Sequence, residues 1–181
     1  MLDYVQFGLD MLGVFIGAFA AFQLENYRER RNEGKEKVRV LKLIRTEITE
    51  NSHLLRGIRN AIENLPDSVP YTRLRDGIWN GIASKLDIIA GDKLLADLTN
   101  LYYGYDLLER ILDIQTQHAL MNNVETNPEA RDNLQDLLES DRKNIVNNIT
   151  SAIYPSSKIG LLDTAKMVIE EIDQEISKLD C

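Results

Sequence analysis

Between residues 25 and 63 the chain holds no proline, and its apolar residues return at alternating steps of three and four. Leu41, Ile44, Ile48, Leu55, Ile58, Ile62 and Leu65 make up the series, with Asn51 in its one gap. That spacing keeps side chains on one face of a helix, whereas a strand needs alternation every second residue. The series is a heptad seam and predicts one long helix, with Gly34 as the place for a bend. Val38, Val40, Leu43 and Leu54 widen the stripe beyond what a two-stranded coil buries, so the helix belongs inside a bundle.

The remaining sequence continues in the same manner. Pro66 and Pro70 place a loop at 64–72. A short amphipathic helix over 73–85 turns Leu74, Ile78, Trp79 and Ile82 inward, and 87–91 is a connector. Asp92 is a fitting N-cap for a helix over 93–121, whose seam is Leu94, Leu98, Leu101, Tyr105, Leu108, Leu112 and Ala119. Asn127-Pro128 opens a helix reaching 153, with Leu134, Leu138, Ile145 and Ile149 inward. After a turn at Pro155, the last helix, 158–179, buries Leu162, Ala165, Val168, Ile172, Ile176 and Leu179. No stretch shows sustained strand alternation.

Residues 5–24 are predominantly apolar and have about the length that spans a hydrocarbon core. A cleaved signal peptide would use Ala18-Phe19-Ala20 as its cleavage site, but the positive n-region is missing. An interfacial helix would need a polar face, and 11–22 has none. A buried helix is the third alternative. The spanning reading is preferred, giving an all-α fold: an N-terminal single transmembrane helix continuing into a long stalk helix, plus an antiparallel helical bundle. Its parts are an anchor at 1–24, a basic juxtamembrane stalk at 25–40 and a bundle at 41–181. Asp10, Gly13, Gly17 and Ala21 share one face, where small residues let another helix approach closely.

Charge is distributed unevenly. Residues 28–45 carry eight basic and three acidic side chains, while 13 Lys/Arg face 23 Asp/Glu from residue 46 onward. A nucleic-acid binder carries its basic patch on the folded domain, and here that domain is acidic, so nucleic acid is not an expected partner. Arg28, Arg30, Arg31 and Lys35 directly follow the apolar segment, where they are expected to contact lipid headgroups; the positive-inside rule then puts the bundle in the cytoplasm.

Catalytic signatures are sparse. The one cysteine, Cys181, permits no disulfide within these residues and no cysteine-based zinc site. Glu50 and His53 form a Glu-x-x-His, half of a di-iron bundle pattern, but His118 has Gln115 rather than Glu three residues before it. Glu47 and Glu171 are further acidic residues that a metal there could borrow. No nucleophile elbow, Walker loop or dinucleotide glycine pattern is present. Asp136, Glu139 and Asp141 read as a solvated face. No cofactor and no enzymatic activity are expected.

The run Leu12-Gly13-Val14-Phe15-Ile16-Gly17, followed by Leu24-Glu25-Asn26-Tyr27-Arg28-Glu29-Arg30-Arg31, resembles a family of uncharacterised bacterial small membrane proteins. Ile88-Ile89-Ala90-Gly91-Asp92-Lys93-Leu94-Leu95, with Leu98 and Leu101-Tyr102-Tyr103, resembles that family's second shared region. Tyr27 stands where the family has Trp, and the basic residue that precedes the family's apolar segment is absent. The resemblance implies a bacterial inner (cytoplasmic) membrane location, single-pass, and says nothing of activity.

The expected function is a non-enzymatic membrane-anchored scaffold or accessory subunit. It would act on copies of itself or on another membrane protein, through the Gly13/Gly17 face and the seam from Leu41 to Ile62. The alternative is a membrane-tethered sensor with a small-ligand pocket beside Trp79 and the tyrosines.

Overall fold

The computed structural model describes residues 2–64, 72–82, 91–124, 126–150 and 159–179, the side chains of 2–14 and 124 excepted. Among them are five helices and no strand: α1 (Leu2–Asn64), α2 (Gly77–Ile82), α3 (Asp92–Val124), α4 (Pro128–Thr150) and α5 (Leu161–Leu179). The expected 64–72 loop, the 87–91 connector and the Pro155 turn fall wholly or mostly outside the described residues.

α1 runs unbroken for 63 residues, and Gly34 does not interrupt it. From Val38 onward it is the central element of the bundle. Leu41, Ile44, Ile48, Leu55 and Ile58 are fully buried, and Ile62 nearly so. The seam is thus buried within the chain, with α5 and α4 packed against α1. α3 packs against α4 and α5, and along it Leu94, Leu98, Leu101, Tyr105, Leu108 and Leu112 are buried. α5 contributes Leu161, Ala165, Val168, Ile172 and Ile176, three or four residues apart. Ion pairs run along the outside of the α1–α5 contact: Lys37 to Glu175 at 3.1 Å, and Arg45 bidentate to Asp173 at 2.7 and 3.2 Å.

The helix ends follow local chemistry. Asn127 accepts a hydrogen bond from the Glu129 N–H at 3.1 Å, with Pro128 as the first helical residue, as expected of a capped start. α2 is shorter than the amphipathic pattern predicts and begins at Gly77. Residues 72–76 before it lie outside any helix, with the backbone of Leu74 and Arg75 bonded by side chains of α3 and α1.

The membrane reading of the N-terminal segment is overturned. Among the described residues no helix is long and apolar enough to cross a membrane. α1 has ample length, but its uninterrupted apolar run at 11–22 holds only twelve residues. At about 1.5 Å per residue that is roughly 18 Å, against a hydrocarbon core of roughly 30 Å. The single-pass placement in a bacterial inner membrane falls with it, as does the cytoplasmic orientation.

Candidate functional site

Two features stand out from the packed core: a cleft at the α1–α2–α3 junction and an arm formed by the first part of α1. The cleft begins with two polar residues on the apolar stripe of α1. Glu47, only 3% exposed, accepts hydrogen bonds from the backbone N–H groups of Ile78 at 2.8 Å and Trp79 at 3.2 Å, and from the Tyr102 hydroxyl at 2.6 Å. One turn on, buried Asn51 makes a reciprocal pair with the Arg75 backbone, donating to its carbonyl and accepting from its N–H, both at 2.7 Å. From α3, Glu109 accepts the Leu74 N–H at 2.6 Å. Segment 72–82 is therefore fastened to α1 and α3 by side chains that take up its backbone polar groups, as burial requires.

Trp79 lies flat on Tyr102, with centroids 4.5 Å apart and planes 8° from parallel, and Tyr105 meets Tyr102 edge-on at 5.5 Å. These rings, with Leu74, Asp76 and Glu109 among others, wall a cleft of about 440 Å³. Burial and the Glu47 hydrogen bond push the Tyr102 hydroxyl far above its ordinary pKa, and burial does the same to Tyr105, so both stay protonated. The Tyr105 hydroxyl is buried with no hydrogen-bond partner in the described chain. Burial also raises the Glu109 pKa, offset in part by the Leu74 N–H and by nearby Arg73.

The arm is different in kind. From residue 15 to 36 almost every side chain of α1 is exposed. Phe15 is 71% exposed, Phe19 65% and Phe22 62%, with Ile16 and Leu24 similarly open. Gly17 and Ala21, from the expected association face, are exposed, and a Cβ at Gly17 would meet nothing within 4 Å. Asp10 and Gly13 lie in the stretch whose backbone alone is described. Arg28, Arg30, Arg31 and Lys35 are exposed among Glu25, Glu29, Glu33 and Glu36.

The metal alternative finds no support in the geometry. Glu50 is bonded to the Arg75 guanidinium, and His53 is exposed. Glu47 is committed to α2 and Tyr102, and Glu171 is bonded to Lys93. Among the described residues no three potential ligands converge. His118 Nδ1 instead lies 2.7 Å from Asp141, tying α3 to α4, so of the expected solvated acids only Asp136 and Glu139 are fully exposed.

Sequence reasoning had Asn51 only as a gap in a series and Glu47 only as a possible metal ligand. The signal was their position: both fall on the buried stripe of α1, where a polar side chain needs a partner. By fold and site, the described residues form an all-helical bundle with an aromatic cleft and an exposed helical arm. Comparison with family models, with curated proteins and with solved structures finds no match for the chain.

Proposed function

We propose that this chain is a non-enzymatic helical association protein, a scaffold or accessory subunit, in which the α1 arm packs against the arm of a second copy. The observation that carries this reading is the exposure of Phe15, Phe19 and Phe22, with Ile16 beside them, on one stretch of helix. An apolar patch of that kind is a mark of an interaction surface. Phe15, Phe19 and Phe22 recur at steps of four and three and form one row. Gly17 and Ala21 lie on the opposite side of the helix. Burying the row would contribute roughly 1.5–3 kcal/mol per phenylalanine. Residues 25–36 then carry four acidic and four basic side chains, so two arms lying side by side meet no net charge repulsion there. That balance favours a like partner over a strongly charged one.

Sedimentation of the full-length protein across a concentration series tests the reading. The parent protein is expected to assemble, and Phe19→Glu to shift it to monomer while the bundle melts at an unchanged temperature. Gly17→Leu examines the opposite face. A parent protein that stays monomeric at every concentration reached, or two variants that both assemble like the parent, would sink the proposal.

A second reading is supported by the cleft. A small ligand between α2 and α3 would alter how segment 72–82 sits on α1, which is the mechanism of a sensor. The volume of about 440 Å³ and the Trp79–Tyr102 stack favour it.

A further inference from the structure

We infer that a second cleft, between the last turns of α3 and the first half of α4, binds a small phosphate-bearing compound, its phosphate held by the Arg142 guanidinium and its carbon part against Ala119 and Leu138. The site is separate from the arm and from the aromatic cleft. His118 and Asp141, 2.7 Å apart, set the two helices side by side, and next to that contact they wall a cleft of about 890 Å³. That volume lies within the range of small-molecule sites. Arg131, Gln135, Leu138 and Arg142 follow one another along α4 at steps of four, three and four, so they share one face of the helix. α3 supplies Ala119 and Asn123 to the opposite wall.

Charge selects the ligand. The chain carries 29 acidic and 21 basic side chains, yet these walls hold two guanidinium groups against one carboxylate, Glu139. Glu139 is already bonded to Lys143 at 2.8 Å and acts on Arg142 only through space. Asp132 and Asp136 are exposed on α4 outside the walls, and Asp141 is taken by His118. Arg142 is half-buried, and among the described residues no acceptor is bonded to it. A guanidinium drawn partly out of water with no bonded counter-charge is unfavourable, and an anion beside it offsets that cost. Its Nε is sealed and unpartnered; the two Nη atoms are not sealed and are the donors offered to the ligand. Arg131, Asn123 and Gln135, all exposed along the cleft, are further donors. A phosphate dianion, with three oxygens to fill, uses this surplus better than a carboxylate with two. An ammonium group would meet two like charges.

Full-length protein would be titrated by calorimetry with n-butyl phosphate, pentanoate and n-butylamine, the parent beside Arg142→Gln, Arg131→Gln and Arg56→Gln. Arg56 is exposed on α1 outside the cleft and controls for attraction to any surface arginine. The phosphate is expected to bind about tenfold or more tighter than pentanoate, and the amine not to bind. Arg142→Gln should weaken phosphate binding about tenfold, Arg131→Gln about two- to threefold, and Arg56→Gln not at all. Arg142 has no bonded partner to lose, so Arg142→Gln should melt no lower than the parent. Arg142→Lys keeps the charge without the planar fork and should bind with intermediate affinity. Absence of phosphate binding would overturn the proposal, as would pentanoate or the amine binding as tightly. An affinity left unchanged by both Arg142→Gln and Arg142→Lys would overturn it too. So would an equal loss in Arg56→Gln, because the attraction would then come from the surface at large.

Discussion

Glu47 shows how a single buried carboxylate can organise a fold. A charge in a helical core is costly unless its lone pairs are occupied, and here two backbone N–H groups and a phenol occupy them. The same contacts give the six-residue α2 partners for N–H groups that no short helix can satisfy internally. Glu47→Ala would strand the Ile78 and Trp79 N–H groups and the Tyr102 hydroxyl together. It is expected to cost about 3 kcal/mol or more in chemical denaturation. Because segment 72–82 holds the Trp79–Tyr102 stack, Trp79 emission should change in the folded variant as well. A loss under about 1 kcal/mol would show that α2 is held by its apolar contacts rather than by the carboxylate.

At the scale of elements, α1 and α5 are joined by burial and trimmed by ion pairs. Glu175 is held below its ordinary pKa, chiefly by the Lys37 hydrogen bond, with Lys178 adding to it. The native state therefore binds fewer protons at this site than the unfolded chain. Stability from the pair is fully present above the ordinary glutamate value near 4.5 and disappears as pH falls through the depressed native value. A partly exposed pair of this kind contributes at most about 1 kcal/mol. Lys37→Met should accordingly be less stable than the parent at pH 7, and the gap should close in acid. A gap that persists at pH 2 would mean that the charge pair is not the source of the difference.

The whole molecule divides α1 into two parts with opposite energetic standing. From residue 38 onward its apolar seam is sealed within the bundle, though Leu43 stays exposed; between 15 and 36 its apolar side chains are bare. Ile172, fully buried on α5, is expected to lose about 2–5 kcal/mol on replacement by alanine, because the cavity left behind adds to the lost transfer energy. Phe19→Ala should leave the unfolding free energy of the bundle within about 0.5 kcal/mol of the parent under conditions where the arm is unpaired. Equal losses at the two positions would mean that the arm folds back onto the bundle in solution.

Helix type and inward face were legible because both depend on periodicity within a few turns. The seams of α3 and α5 and the Asn127-Pro128 start of α4 are local patterns of this kind. Burial within α5 shifted only slightly, with Leu161 sealed and Leu162 partly open. The long seam of α1 could equally have closed on a second copy, since a stripe does not name its partner. Only the packing of α4 and α5 decided that it closes within the chain. The cleft was legible only as far as its aromatic residues, Trp79 and the tyrosines. Its acidic wall was not, because Asp76, Asp106 and Glu109 stand up to 33 positions apart and meet through the path of segment 72–82. Short-range order is written in the spacing of side chains along one helix. Which faces meet, and which polar groups they close around, depends on contacts between residues far apart in the chain, and only the tertiary structure supplies those.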